Sequence, residues 1–184
     1  MEKNNAGNIL KVVINGPEST GKTELARQLA TVFRTVWVPE YARTYINSLS
    51  RPYSYEDVEH IAKVQKQEML QEYKNADKVV FYDTDLIITK VWFDVVYQHV
   101  PRWINAFLTQ SGVHLYLLCM PDIPWVPDAL RENGGPMREI LLKKYIFEIQ
   151  RTGIPWRSIS GEGPLRLKNA LDALNEVLHL IPPA

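Results

Sequence analysis

Residues 16–23 read Gly-Pro-Glu-Ser-Thr-Gly-Lys-Thr and match the phosphate-loop pattern G-x-x-x-x-G-K-[ST]. In such a loop the backbone N–H groups turn inward around nucleotide phosphates, the lysine reaches the β and γ oxygens, and the last hydroxyl binds Mg²⁺. A β-branched run at 9–14 precedes the loop and a helical pattern at 24–33 follows it. The N-terminus of that helix adds its positive dipole end to the same anion site. The sequence therefore predicts a binding site for a nucleoside triphosphate.

We expect this loop and the first helical turn to contact ATP and its metal ion. Lys22 is the expected contact to the transferred phosphate, and Thr23 is an expected ligand of Mg²⁺. The expected nucleotide contacts in this part of the chain are Gly16, Glu18, Ser19, Thr20, Gly21, Lys22, Thr23 and Glu24.

Two acids follow the third apolar run, where a strand is expected to end. Asp83 stands where phosphate-loop enzymes carry a second acid that holds Mg²⁺ directly or through water. Asp85 comes two residues later and has two interpretations. It caps the helix that follows, or it belongs to the site as a catalytic and substrate-binding acid. We predict Asp83 as a catalytic acid and metal ligand and leave both interpretations of Asp85 open.

Glu40 follows the short second apolar run and Pro39. In an open parallel sheet, ligands bind beyond the carboxyl ends of the strands, so this carboxylate is expected to face the phosphate loop. Phosphoryl transfer needs a group that orients the attacking hydroxyl and positive charge on the moving phosphoryl group. Glu40 would supply the first, and Arg43 would supply the second or grip the acceptor. The alternative is a solvated Glu–Arg pair on one helix face.

Further side chains suit an acceptor that carries an aromatic ring. Tyr41 and Trp92 could stack on such a ring, although an aromatic residue on a helix more often belongs to the core. Gln65 lies on the apolar stripe of a predicted helix, where a buried amide needs either a ligand or a backbone group as its partner. The expected acceptor contacts are Glu40, Tyr41, Arg43, Gln65, Asp85 and Trp92.

A proline-rich segment at about 120–137 separates the fourth apolar run from the next helix. It is too rich in proline for a core element, and a segment of this length is usually functional. We predict a lid whose Arg131 and Arg138 neutralise phosphate charge, with Arg131 also acting in catalysis. The alternative is a stiff surface loop that carries two surface arginines.

Apolar runs alternate with helical patterns along the chain, which is typical of a parallel sheet covered by helices. The predicted strands are 9–15, 35–38, 79–83, 114–119 and 157–160. The predicted helices are 24–33, 54–76, 102–110, 136–151 and 164–180. The turn at 161–163 would either meet the adenine base or be an ordinary strand-to-helix connection.

The composition indicates a protein that acts on a small molecule. A chain of 184 residues with 46% hydrophobic content is enough for one domain with a sizeable core. The formal net charge of zero gives no electrostatic footprint for nucleic acid, and no apolar stretch is long enough for a membrane helix. We predict a single domain at 1–184, a cytoplasmic location, and neither a nucleic-acid nor a membrane partner. The oligomeric state stays open.

Four motifs occur in an order that resembles a known family. They are the phosphate loop at 16–23, Pro-Glu-Tyr-Ala-Arg at 39–43, Asp-Thr-Asp at 83–85 and Trp-Val-Pro-Asp-Ala-Leu-Arg at 125–131. Together they resemble the ribosylnicotinamide kinase domain of bacterial NadR-type NAD-salvage proteins over nearly the whole chain. The phosphate loop alone is not specific to that family, whereas the combination of the other three is much more so.

The resemblance implies an α/β phosphate-loop NTPase fold. This is a three-layer sandwich whose five-stranded parallel sheet has the order 2-3-1-4-5, with helices on both faces and a lid. It also implies transfer of phosphate from ATP, with Mg²⁺, to the ribose 5′-hydroxyl of nicotinamide riboside. By analogy with related deoxynucleoside kinases, Glu40 would be the base and Asp83 the magnesium-side acid. Asp85 would hold the ribose or replace Glu40 as the base.

NadR-type proteins often carry a DNA-binding region and an adenylyltransferase domain before the kinase. Only eight residues precede the first predicted strand here, so we expect neither of those activities from this chain. Two other functions stay open: a kinase for another nucleoside or nucleotide, and an ATP-dependent binding switch with incidental hydrolysis.

Overall fold

Five parallel strands form one sheet in the computed structural model, which describes residues 9–73, 75–76, 78–127 and 132–180. The strands are β1 (Leu10–Asn15), β2 (Trp37–Val38), β3 (Val79–Asp83), β4 (Leu115–Cys119) and β5 (Trp156–Ile159). They are hydrogen-bonded in the order β2-β3-β1-β4-β5. The sheet order implied by the family resemblance is therefore confirmed.

Helices cover both faces of this sheet. They are α1 (Lys22–Phe33), α2 (Tyr41–Ser48), α3 (Tyr55–Leu70), α4 (Leu86–Trp92), α5 (Arg102–Leu108), α6 (Pro136–Thr152) and α7 (Pro164–Leu178). A π-helical turn, Phe93–Tyr97, continues α4. Successive side chains of a strand point to opposite faces, so Val13 packs in the core with α3 to α6, and Val12 packs in the core with α1 and α7. The predicted three-layer α/β sandwich is confirmed.

The central strands are buried on both faces, which explains why the sequence shows them as continuous apolar runs. Every residue of β3 and β4 is buried. The alternation of apolar and polar residues that marks a half-exposed strand is absent from both, because helices cover each face of the sheet. This burial makes the strands the rigid part on which the connecting loops are held.

The helix predicted over 54–76 ends earlier in the structure, at Leu70. Its start is as predicted, because Ser54 and Asp57 form a capping box. It ends early because Tyr73 turns back onto the helix: its hydroxyl donates to the carbonyl oxygen of Glu68 at 3.0 Å. Its ring also packs edge-on against Tyr82 of β3. The sequence pattern did not reveal that the partly buried Tyr73 would make these contacts and end the helix early.

Two further differences lie around the second strand. β2 contains only two residues, because Pro39 follows it and lacks the N–H that would continue the ladder. The short helix α2 then begins directly after Glu40, where the sequence analysis identified no separate helix. Both differences keep Glu40 at the end of the strand.

The parallel arrangement brings three functional segments to one edge of the sheet. Ile14 of β1 is in register with Asp83 of β3, and Val38 of β2 is in register with Tyr82. The phosphate loop after β1, Glu40 after β2 and Asp83 at the end of β3 therefore emerge side by side. Among the described residues, no helix is long and apolar enough to cross a membrane.

We predict that Glu68→Gln stabilises the protein in a pH-dependent manner. Burial raises the pKa of Glu68 from 4.5 to about 7, so its ionisation costs folding free energy as pH rises from 4.5 through 7. The variant should match the wild type near pH 4 and exceed it at pH 8 by about 1 to 2 kcal/mol in free energy of unfolding. Urea unfolding at both pH values measures this. The control is Glu72→Gln, which changes an exposed acid and should not raise the free energy of unfolding relative to the wild type at pH 8. A rise in Glu72→Gln as large as that in Glu68→Gln would contradict the prediction.

Candidate functional site

A cleft of about 600 Å³ lies over the edge of the sheet where the strands end. The phosphate loop forms one end of it: Gly16 and every residue from Glu18 to Glu24 line the cleft. Glu40 and Arg43 also line the cleft, together with aromatic and aliphatic side chains that include Tyr53, Trp92 and Val96. The phosphate-loop and first-turn residues that the sequence analysis assigned to ATP therefore share one cavity with the expected base.

The phosphate loop is held against β4 by the close approach of Gly16. Its φ is +148°, and a β-carbon at this position would lie 2.6 Å from the carbonyl oxygen of Cys119, so only glycine fits. Inside the loop, the Thr20 hydroxyl donates to the carbonyl oxygen of Pro17 at 2.8 Å. The ammonium group of Lys22 donates to the same carbonyl at 2.9 Å. Lys22 thus lies folded over the loop, within the cleft.

Arg166 of α7 supports the loop from below, and the sequence analysis missed it. Its guanidinium donates to the carbonyl oxygens of Thr20 (2.7 Å), Gly161 (2.6 Å) and Met120 (3.3 Å). It also pairs with Asp122, whose second oxygen accepts the Gly161 N–H at 2.6 Å. This buried side chain joins the phosphate loop to the turn at 161–163. It is the third residue of α7, and no sequence motif at this position could have identified it.

Thr23 and Asp83 form the pair of oxygen ligands expected for Mg²⁺. The Thr23 hydroxyl donates to Oδ2 of Asp83 at 2.6 Å. The other oxygen, Oδ1, is buried and has no hydrogen-bond partner among the described residues. Burial raises the pKa of Asp83, and the Lys22 ammonium and the Thr23 hydrogen bond oppose that rise. A buried carboxylate oxygen with an unused lone pair is a suitable ligand for a hard cation.

Glu40 lies at the N-terminus of α2, beside the phosphate loop. Burial raises the pKa of its carboxyl group, the charges of Lys22 and Arg43 lower it, and the charge of Asp83 raises it. These electrostatic interactions indicate that Glu40 lies close to the metal-ligand pair and to Lys22. A carboxylate with a raised pKa at the end of a strand is a suitable proton acceptor.

Asp85 lies in the interior, away from the lining of the large cleft. Its Oδ1 caps α4 by accepting the Ile87 N–H at 3.0 Å and also accepts from Asn15 at 2.9 Å. Its Oδ2 accepts from the Tyr116 hydroxyl at 2.9 Å. Since both oxygens hold buried donors, the capping interpretation describes this side chain. We therefore remove Asp85 from the catalytic and acceptor contacts.

Two other expected acceptor contacts also lie outside the large cleft. Gln65 accepts a hydrogen bond from Thr89, so its partner is a buried hydroxyl of α4. The Tyr41 hydroxyl is 3.0 Å from Nε2 of His60 on α3. With Asp85, they line a separate cavity of about 10 Å³, which is large enough for one water molecule at most. The apolar stripe correctly identified Gln65 as buried but not which group it would meet.

Of the two arginines expected in the lid, only Arg138 lies among the described residues. Arg138 is buried and donates to the carbonyl oxygens of Ile123 (3.1 Å) and Ser19 (3.2 Å). It therefore ties the proline-rich segment to the phosphate loop and does not line the cleft, because main-chain carbonyls already engage its charge. Arg131 lies outside the described residues.

The far end of the cleft is apolar and aromatic. Trp92 lines it, as the sequence analysis expected, and its ring meets the edge of Tyr53 with centroids 4.9 Å apart. The π-helical turn after α4 adds Val95 and Val96 to the same wall. Ile46, Ile88, Arg51 and Asn133 also line this cleft and were missed, because no local pattern connects them.

Tyr145 of α6 lines the cleft, and the sequence analysis did not identify it as a site residue. Burial raises the pKa of its phenol, and the charges of Glu18 and Glu40 add to the rise. The phenol therefore lies near both carboxylates. A helical apolar stripe predicts burial but does not reveal that one of its residues borders a site.

Comparison with known proteins agrees with this geometry. A family model described as an AAA domain matches residues 11–166. The trifunctional NAD biosynthesis/regulator protein NadR of Salmonella typhimurium is 30% identical over 142 residues, which is 75% of this chain and 35% of that protein. The chain thus spans about a third of the length of this relative.

Solved structures of NadR share the fold. A crystal structure of NadR protein in complex with NR has a TM-score of 0.78 at 21% identity and covers 96% of this chain and 52% of that chain. A crystal structure in complex with NAD and AMP-PNP has a TM-score of 0.72 at 22% identity and covers 96% of this chain and 51% of that chain. The resemblance to the NadR-type kinase domain is therefore confirmed. The chain belongs to the AAA domain family and has the fold of phosphate-loop kinases.

Proposed function

We propose that this protein is an ATP-dependent kinase that phosphorylates the ribose 5′-hydroxyl of nicotinamide riboside to give nicotinamide mononucleotide. One observation carries the proposal. A single cleft is lined by the phosphate loop with Thr23, which contacts Asp83, by the carboxyl of Glu40 and by an apolar wall that includes Trp92. A nucleotide-dependent switch has no need of such a carboxyl and an aromatic wall beside its phosphates.

The donor end of the cleft suits the triphosphate of ATP. The backbone amides of 16–23 and the N-terminus of α1 would bind the phosphates, as in other phosphate loops. On nucleotide binding, Lys22 would leave the carbonyl of Pro17, which it contacts at 2.9 Å, and donate to the β and γ oxygens. The turn at 161–163, which Arg166 joins to the loop, would meet the adenine base if it is more than an ordinary strand-to-helix connection.

Thr23 and Asp83 would hold Mg²⁺. The buried Asp83 oxygen without a partner fits such a ligand, and among the described residues no cluster of three His, Cys, Asp or Glu side chains offers another metal site. When bound, Mg²⁺ neutralises negative charge on the phosphate oxygens. The remaining ligands would be phosphate oxygens and water, as is usual for this cation.

Glu40 would act as the base in an in-line transfer. The 5′-oxygen of the acceptor forms a bond to the γ-phosphorus while the bond from that phosphorus to the leaving ADP oxygen breaks. The proton of the hydroxyl passes to the Glu40 carboxylate. Arg43, which lines the same cleft, would bind the moving phosphoryl group or the acceptor. The raised pKa of Glu40 favours proton acceptance in the transition state.

The choice of acceptor rests on the apolar wall and on the relatives. Trp92, Tyr53 and Val96 suit a flat aromatic base, and NadR has been crystallised with NR and with AMP-PNP. The single domain at 1–184 and the cytoplasmic location expected from the sequence remain predictions that go with this function.

An acceptor panel tests the proposal. With Mg·ATP, nicotinamide riboside should be phosphorylated with a kcat/KM about a hundredfold above that of other nucleosides, because discrimination between acceptors depends on how the base contacts the wall in the transition state. Product mass identifies nicotinamide mononucleotide, and Lys22→Ala controls for contaminating kinases. Stronger transfer to another nucleoside would replace the acceptor in the proposal. Binding of ATP without transfer to any acceptor would favour the binding switch.

Glu40→Gln should lower kcat by a factor of about 10² to 10⁴ and leave the affinity for an ATP analogue nearly unchanged. The wild-type kcat should rise with pH through a pKa above the ordinary 4.5, because the carboxylate is the active form and burial raises its pKa. That acidic limb should be absent from the variant. Because the buried charge is lost, the variant should also be more stable by about 1 kcal/mol. Unchanged turnover would remove Glu40 as the base; Glu139→Gln, an exposed acid on α6, is the control.

Asp83→Asn should abolish the contribution of Mg²⁺ to nucleotide binding. In the wild type, Mg²⁺ should tighten the binding of a non-hydrolysable ATP analogue. In Asp83→Asn, the factor by which Mg²⁺ lowers the Kd of this analogue should be smaller by about tenfold or more, because the charged ligand is gone. Calorimetry with and without Mg²⁺ measures this and needs no turnover. The control is Asp94→Asn, which removes an exposed partner of Lys144. An equal Mg²⁺ effect in Asp83→Asn would contradict the metal assignment.

A further inference from the structure

Glu18, the third residue of the phosphate loop, accepts hydrogen bonds from across the cleft. Its Oε2 accepts the Asn133 N–H at 3.0 Å, and its Oε1 accepts the Asn133 side-chain amide at 2.9 Å. The Glu132 N–H is 3.4 Å from Oε1. One carboxylate therefore holds two consecutive residues that lie just before α6.

A carboxylate at this position needs an explanation, because it lies in a cavity built for phosphate. An ionised acid beside a triphosphate is repelled by it, so a direct contact with ATP would weaken binding. The amide donors of 132–133 remove this difficulty, since a hydrogen-bonded carboxylate has its charge partly compensated. The arrangement favours a role in holding the chain across the cleft over the nucleotide contact that the sequence suggested.

The neighbouring loop residue, Ser19, makes the corresponding contacts to the other part of the proline-rich segment. Its hydroxyl accepts the Val126 N–H at 2.9 Å. Its carbonyl accepts from Arg138, which also donates to the carbonyl of Ile123. Two adjacent residues of the phosphate loop thus bind both parts of the segment, at 123–126 and at 132–133.

Glu132 extends the connection to the acceptor end. Its carboxylate accepts a hydrogen bond from the Tyr53 hydroxyl at 3.1 Å, and the Tyr53 ring packs against Trp92. The backbone of Glu132 therefore lies near Glu18 while its side chain reaches the aromatic wall. Contacts run without interruption from the phosphate loop to the proposed acceptor site.

We propose that Glu18 is a positioning residue that sets residues 132–133 across the cleft. Through Glu132 it links the phosphate loop to the aromatic wall, so that the donor and acceptor ends keep a fixed spacing. The consequence for the acceptor rests on the proposed kinase function. The consequence for the position of 132–133 does not, because it depends only on the contacts of Glu18.

Hydrogen exchange tests the contact without any turnover. In Glu18→Gln, one acceptor oxygen becomes an NH₂ group that cannot accept from Asn133, and the negative charge is lost. Amide exchange in peptides covering 132–135 should accelerate by about tenfold or more, while exchange in β1 and β4 stays as in the wild type. The matched control is Glu139→Gln, which removes an exposed acid of α6 and should leave 132–135 unchanged. Unchanged exchange in Glu18→Gln would overturn the proposal.

Kinetics test the link between the two ends. Glu18→Gln should raise KM for nicotinamide riboside and increase the ratio of ADP released to nucleoside phosphorylated, each by about tenfold, because water competes once the spacing is lost. Affinity for an ATP analogue should stay the same or increase. Asn133→Ala, which removes one donor and keeps the loop intact, should show the same pattern. When the two substitutions are combined, the rise in KM for nicotinamide riboside should be smaller than the product of the two separate rises, because both substitutions disrupt the same contact.

Two results separate failure of this proposal from failure of the proposed function. Faster exchange at 132–135 in a protein that phosphorylates no nucleoside would support the positioning role and reject the kinase assignment. Weaker binding of the ATP analogue in Glu18→Gln, with unchanged exchange at 132–135, would make Glu18 a nucleotide contact and overturn the positioning role.

Discussion

The parallel hydrogen bonding of β1 between β3 and β4 is the constraint on which the rest of the site depends. It pairs Ile14 with Asp83 and Asn15 with Leu118, so the three strands end at nearly the same level. The phosphate loop can then pass close to the carbonyl of Cys119 and return into α1. A shift of one residue in this register would turn Asp83 to the other face of the sheet and away from Thr23.

Acidic side chains at this edge fall into two classes that differ in how well their oxygens are satisfied. Asp85 uses both oxygens for buried donors and closes the N-terminus of α4, which is a structural role. Asp83 has an oxygen with no partner among the described residues, and burial raises the pKa of both Asp83 and Glu40. Such groups reduce stability, because their ionised forms are poorly solvated. A protein keeps them where chemistry requires them.

The phosphate loop has two partners that hold it in different directions. On one side, Arg166 ties Thr20 to the turn at 161–163 through hydrogen bonds to main-chain carbonyls. On the other side, Glu18 and Ser19 bind the proline-rich segment. The loop is therefore the anion site and also the segment that both α7 and the proline-rich segment contact. In this way one short motif connects residues that lie far apart in sequence.

The sequence by itself determined the elements whose cause is local. The loop at 16–23, the apolar runs of β1, β3 and β4, and the capping box of α3 each follow from neighbouring residues, and the structure contains all of them. Its motifs also identified the family and, through it, the sheet order. Tertiary structure alone decided which group each polar side chain meets. Asp85 caps a helix, Gln65 accepts a hydrogen bond from Thr89, and Arg138 donates to main-chain carbonyls. Buried donors and acceptors must be paired, and the fold decides which groups from distant parts of the chain lie close enough to pair with them. The same reason hid the contact of Arg166 with Thr20 and the contacts of Glu18 with residues 132–133, because each joins residues more than a hundred positions apart in sequence.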